Sequence, residues 1–132
     1  VREARGRALK VISYLLKDLP DDNRYAVIFA RRDLHEVIAS QNKMLGRQGE
    51  PNPVDDAKAL ALFQRHLVNV RVLGRTRRNF RMLEVSYRDT IAEPRRTAAA
   101  IGRFLGSGLG RELDVERMAA VVDANLYRNR SQ

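Results

Sequence analysis

The feature that most constrains the fold is an unbroken apolar run at residues 25–30, "YAVIFA", which shows no polar alternation. A strand that is covered on both faces has this pattern, whereas a strand with one solvated face alternates apolar and polar residues. The run ends at Arg31 and Arg32, and an amphipathic pattern of helical spacing begins directly after them. A covered strand that leads straight into a helix predicts an α/β protein with a mainly parallel sheet.

The rest of the chain repeats this alternation of strands and helices. Two further strands are predicted at residues 8–14 and 80–87, the second of which alternates apolar and polar residues. Acidic residues favour the first turn of a helix, and proline is also favoured there. Helices are therefore expected to start at Asp33 (with Glu36 completing a capping-box-like pair), at Asp55 or Asp56, at Glu93–Pro94 and at Asp114. Gly74 is expected to end the second of these helices.

Composition limits the class of protein and the kind of ligand. A chain of 132 residues is one domain or part of one, and no apolar run approaches the length of about 20 residues that a bilayer span needs. The absence of cysteine excludes disulfides and Cys–zinc sites and fits a reducing compartment, so a cytoplasmic location is expected. The net charge of +9 comes mostly from arginine and suits a phosphorylated cofactor, an anionic substrate, an acidic partner or nucleic acid.

The paired arginines at the strand end are the best candidates for an anion-binding site. Ligands of open α/β sheets bind beyond the carboxyl ends of the strands, and the N-terminus of a helix favours negative charge. Ser40 follows Arg32 by eight residues, or about two helical turns, so its hydroxyl can reach the same ligand. Spacing alone leaves a second interpretation open, in which the arginines only solvate the strand end.

Two ordered motifs resemble one enzyme family. "RRDLHEVIAS" resembles the phosphate-binding segment of sulfotransferases that use 3′-phosphoadenosine 5′-phosphosulfate, in which an Arg ends a strand and a Ser follows eight residues later. "NFRMLEVSYRDTIAEPRRTAAAIGRFLG" is similar to a later strand, turn and helix of that family. The resemblance covers most of residues 8–106 and is closest to the small bacterial branch. It implies a three-layer P-loop-type α/β fold in which Arg32 and Ser40 hold the 3′-phosphate and Tyr87 lies by the adenine.

The sequence departs from the family pattern near its start. Family members begin with a strand and a Gly/Ser/Thr-rich phosphosulfate loop, which "VREARGRALK" does not match. Residues 1–132 are therefore interpreted as a single domain that corresponds to the C-terminal portion of the family fold, with that strand and loop missing. Many members carry Lys-Thr-His after the second strand; Lys10 matches the lysine and is a weak catalytic candidate, but Ile12 stands at the histidine. The catalytic base is left unassigned.

Other charged residues are secondary candidates. Arg31 neighbours Arg32, and Arg128 or Arg130 in the basic tail can supply a further contact to the phosphate. His35 and His66 are isolated from suitably spaced carboxylates and do not indicate a metal site. His35 is interpreted as a solvated residue, and His66 as a residue that packs against the protein or faces water.

The leading hypothesis is a sulfotransferase-like domain that transfers a sulfuryl group from 3′-phosphoadenosine 5′-phosphosulfate to a hydroxyl or amine of a small-molecule or glycan acceptor. Because the loop is not matched, activity of this chain alone is not expected. One alternative is a non-catalytic nucleotide-binding relic. Another is a basic nucleic-acid-binding domain, for which the sequence offers only eight aromatic residues and no helix-turn-helix or RNA-binding signature. The sequence leaves the oligomeric state open.

Overall fold

The computed structural model describes residues 6–44, 53–110 and 112–126. A 3₁₀-helix at Ser13–Asp18 comes first, followed by β1 (Tyr25–Arg31), α1 (Leu34–Met44), α2 (Pro53–Thr76) and β2 (Phe80–Ser86). The remaining elements are α3 (Tyr87–Ala92), α4 (Pro94–Leu109), α5 (Val115–Ala120) and a 3₁₀ turn at Ala124–Leu126. No helix in these described ranges combines the length and apolar character that a membrane span requires.

A parallel pair of strands forms the centre of the molecule. β1 pairs with β2 from Tyr25 opposite Phe80 to Arg31 opposite Ser86. The predicted class, an α/β fold with a parallel sheet flanked by helices, is confirmed. The strand predicted at residues 80–87 ends one residue early, at Ser86. The Ser86 hydroxyl accepts a hydrogen bond from the Asp89 N–H at 3.2 Å and so caps α3.

The strand predicted at residues 8–14 is wrong. Residues 8–12 are irregular, and the 3₁₀-helix begins at Ser13. Leu16 is buried at 5% exposure, whereas its neighbours Tyr14 and Leu15 are each 52% exposed. The segment contributes the Leu16 side chain to the core from a short helix, and this burial does not require pairing with a strand. The apolar composition that suggested a strand is only a weak guide without such a partner.

One face of the sheet carries the core. Leu16, Val70 and Phe80 form a buried cluster that joins the 3₁₀-helix, α2 and β2, and Val27 and Phe29 pack against it. α2 runs past Gly74, where the sequence predicted its end. A Cβ at Gly74 would lie 2.6 Å from the Met82 sulfur, so this glycine permits close packing of helix on strand.

The opposite face of β1 is only partly covered, which corrects the expectation that both faces are covered. Ala26, Ile28 and Ala30 are exposed, with Ile28 at 37%. α4 packs against both strands, and Arg81 of β2 donates a hydrogen bond of 2.8 Å to the Phe104 carbonyl of α4. The unbroken apolar run at residues 25–30 therefore reflects β propensity as much as burial.

The starts of three helices, α1, α4 and α5, follow the sequence signals. Asp33 accepts a hydrogen bond from the His35 N–H, and Asp114 accepts one from the Arg117 N–H, both at 2.9 Å. Each such cap stabilises its helix by about 1 kcal/mol. Pro94 begins α4 as predicted. α2 begins at Pro53, so Asp55 and Asp56 lie in its first turn and are not its cap.

Candidate anion-binding site

The carboxyl end of the sheet brings Arg32 and Tyr87 together. Each residue directly follows the last residue of its strand, and those two last residues lie opposite each other in the register. The Arg32 guanidinium carbon lies 4.9 Å from the centroid of the Tyr87 ring, within the range of a cation–π contact. Two of the three residues that the family resemblance named are therefore in contact, although 55 positions separate them in the sequence.

A buried carboxylate lies beside this pair. Glu36, on the first turn of α1, has only 2% of its side chain exposed. Its Oε2 lies 3.9 Å from Arg32 Nη2, and its Oε1 accepts a hydrogen bond of 3.1 Å from Arg88 Nη2. Sequence reasoning assigned Glu36 only to a capping box and did not single out Arg88. The available signal was the position of Arg88 directly after Tyr87.

One donor of Arg32 is left unsatisfied. Its Nε is buried and has no hydrogen-bond partner among the residues that the structure describes. An unsatisfied buried donor of this kind costs about 1–3 kcal/mol, and an anionic oxygen would satisfy it with a charge-assisted hydrogen bond. With a third of the side chain exposed, Arg32 is reachable from solvent. This donor is the feature of the cluster that points to a ligand.

Ser40 lies on the same helix as Glu36, two turns beyond Arg32. Residues four apart share a helix face, so Ser40 lies on the same face of α1 as Glu36, whereas Arg32 precedes the helix. Ser40 is half-buried. Its role as a second phosphate ligand stays a prediction.

Comparison with known proteins identifies the family. A model described as "Sulfotransferase family" matches residues 8–109, which is most of the chain. The chain belongs to the sulfotransferase family. The matched range of this sulfotransferase-family chain includes the entire cluster just described. No significant match was found among curated proteins or among solved structures.

Arg31 of this sulfotransferase-family chain turns to the other side of the sheet. Its Nε lies 2.8 Å from Oε1 of Glu84, and Arg71 of α2 binds the same carboxylate through two hydrogen bonds of 2.9 and 2.7 Å. Hydrogen bonds from Arg71 and the charges of both arginines hold the pKa of Glu84 below its ordinary value. Arg31 thus contributes to a structural ion-pair cluster that links both strands to α2.

This lowered pKa predicts a pH-dependent contribution to stability. Because the folded-state pKa is lower than the unfolded one, the contribution is present above the unfolded pKa and is lost as the pH falls through the folded value. The free-energy difference between wild type and Glu84→Gln, measured by urea unfolding, should be largest near neutral pH and should shrink below about pH 4.5. A difference that is constant from pH 7 to below this range would contradict the assignment.

The two histidines differ in their surroundings: His66 contacts the first 3₁₀-helix, and His35 is exposed. The His66 ring stacks on the Tyr14 ring with centroids 3.6 Å apart, and its Nε2 lies 2.8 Å from the Ser13 hydroxyl. Burial lowers the pKa of His66. The contacts fasten the first 3₁₀-helix to α2. His35 is exposed at the start of α1, as the sequence predicted.

The structure adds no support for the remaining candidates. Lys10 is exposed in the irregular segment before the 3₁₀-helix, and Arg128 and Arg130 lie outside the described residues. A groove of about 640 Å³ is lined by residues of α4, of the connection that follows it and of the start of α5, and none of Arg32, Glu36, Tyr87 and Arg88 lines it. Within the part of the chain that the structure describes, no three His, Cys, Asp or Glu residues are arranged to hold a metal ion.

Proposed function

We propose that this sulfotransferase-family domain binds 3′-phosphoadenosine 5′-phosphosulfate in the cytoplasm and takes part in the transfer of its sulfuryl group to a hydroxyl or amine acceptor. Family membership supports the reaction class. The observation that supports the nucleotide is the buried Arg32 Nε, which has no partner within the described ranges and belongs to a guanidinium beside the Tyr87 ring at the carboxyl end of the sheet.

Arg32 is the residue best suited to hold the 3′-phosphate. A guanidinium offers a planar fork of donors that matches phosphate oxygens, and contact with an aromatic ring restricts the orientation of that fork before the ligand arrives. We assign Tyr87 to the border of the adenine and Ser40 to a second hydrogen bond to the phosphate. Positioning of this kind is a large part of catalysis in group transfer.

The transfer itself requires an acceptor and a base. The acceptor oxygen or nitrogen forms a bond to sulfur while the bond from sulfur to the phosphate oxygen breaks, and the acceptor proton passes to a base. The leaving group is adenosine 3′,5′-bisphosphate, whose developing negative charge needs donors to stabilise it. No sequence segment here matches the phosphosulfate loop, so we expect the isolated 132-residue chain to bind the nucleotide without transfer, as a nucleotide-binding module would.

Selectivity for the 3′-phosphate tests this function. Isothermal calorimetry at fixed ionic strength should show that adenosine 3′,5′-bisphosphate binds about 10- to 150-fold more tightly than adenosine 5′-monophosphate, since one charge-assisted hydrogen bond is worth about 1.5–3 kcal/mol. Equal affinities would contradict the proposal. Tighter binding to double-stranded DNA with a steep salt dependence would favour the nucleic-acid alternative.

A further inference from the structure

The two arginines that share Glu36 do so unequally. Arg88 Nη2 donates a hydrogen bond of 3.1 Å to Oε1, whereas Arg32 Nη2 lies 3.9 Å from Oε2. The first distance is that of a hydrogen bond, and the second is that of a loose ion pair. Arg88 is also the more exposed of the two side chains, at 59% against 33%.

Burial makes a close partner for Glu36 necessary. An ionised carboxylate with 2% of its surface exposed is strongly destabilised unless a cation or several donors accompany it. An arginine that satisfies the carboxylate has fewer donors left for a ligand. The Arg88 hydrogen bond contributes to meeting this need, and the Arg32 Nε stays buried without a partner in the described part of the chain.

We infer that Arg88 is a positioning residue: it neutralises Glu36, and so it prevents Arg32 from closing onto that carboxylate and keeps the Arg32 donors available to an anion. Arg88 does this without touching the ligand. The identity of the anion, a nucleotide 3′-phosphate, rests on the proposed function; the competition between the two arginines does not.

Removing Arg88 should therefore weaken ligand binding only while Glu36 is charged. In Arg88→Met, we expect the affinity for adenosine 3′,5′-bisphosphate to fall about tenfold, because Arg32 becomes the partner of Glu36. In the Glu36→Gln background the same change should alter affinity by less than about twofold, since no buried charge competes for Arg32. A role limited to folding would not produce this dependence on the state of Glu36.

Arg95→Met is the matched control. It removes the same charge from an exposed ion pair, Arg95 with Glu116 at 2.7 Å, which involves no member of the cluster. We expect it to change affinity by less than about twofold at physiological salt. An equal loss in Arg95→Met and Arg88→Met would show that only net charge matters and would overturn the inference.

The background dependence decides between positioning and direct contact. Equal losses of affinity from Arg88→Met in the wild-type and Glu36→Gln backgrounds would mean that Arg88 itself binds the ligand, which would overturn the inference. If Arg88→Met leaves the affinity of the otherwise wild-type protein unchanged, the inference is also overturned. Thermal unfolding identifies any variant that does not fold. If Arg88→Met does not fold, Arg88→Gln replaces it in both backgrounds with the same two expectations.

A readout without nucleotide separates this inference from the proposed function. The NMR signal of the Arg32 Nε–H should shift, and its exchange with water should change, in Arg88→Met, and both should return toward wild-type values in the double variant. If wild type shows no preference for the bisphosphate, the proposed function fails while this signal still tests the inference. An Arg32 signal that is unchanged in Arg88→Met would overturn it.

Discussion

Replacing Arg32 by alanine is expected to weaken the binding of adenosine 3′,5′-bisphosphate by about 10- to 150-fold, the effect of losing one charge-assisted contact. Alanine removes the buried Nε and the guanidinium beside the Tyr87 ring. Calorimetry with the bisphosphate and with adenosine 5′-monophosphate measures it, and the loss should be confined to the bisphosphate. Arg32→Lys keeps the charge but lacks the planar fork, so we expect it to recover only part of the affinity.

The adjacent arginine provides the control for this prediction. Arg31→Ala removes the same charge one residue earlier, but that guanidinium pairs with Glu84 on the face of the sheet that α2 covers. We expect Arg31→Ala to leave bisphosphate affinity within about threefold of wild type, because a charge on the other face is largely screened by salt. Equal losses in the two variants would remove Arg32 from the site.

Replacing Arg77 by methionine should lower the free energy of unfolding by about 2–4 kcal/mol, because the loss leaves several acceptors without their donor. Its guanidinium donates to the carbonyls of Leu16 and Leu19 at 3.1 and 2.7 Å, and it forms an ion pair with Asp21. It also lies 4.6 Å from the centroid of the buried Phe80 ring. These contacts hold the first 3₁₀-helix against the core.

Urea unfolding measures this change, and Arg78→Met is its matched control. Arg78 is the exposed neighbour of Arg77 in the connection between α2 and β2. Surface substitutions usually change stability by no more than about 0.5 kcal/mol. Only 16% of the Arg77 side chain is exposed, so its interactions are weakly screened. If both variants lose the same stability, the hydrogen bonds to the 3₁₀-helix contribute little.

Local chemistry accounts for the parts of the fold that could be predicted. The caps at Asp33 and Asp114 and the proline at the start of α4 depend on residues within one turn, so the sequence signals are sufficient. The prediction of a strand at residues 8–14 failed because a strand forms only beside a partner strand, and local sequence does not determine whether such a partner is present. Gly74 likewise lies inside α2 and does not end it, and Met82 of another element packs closely against this glycine.

The candidate site divides in the same way. The sequence by itself determined that an arginine follows a β-prone run and precedes a capped helix with a serine two turns along, and the family resemblance added Tyr87. Only the tertiary structure decided that Glu36 is buried and that Arg88, 52 positions away, donates to it. The physical reason is that the parallel register of β1 and β2 places the residues after both strands at one edge, and burial of a carboxylate there requires a cation that local sequence does not identify.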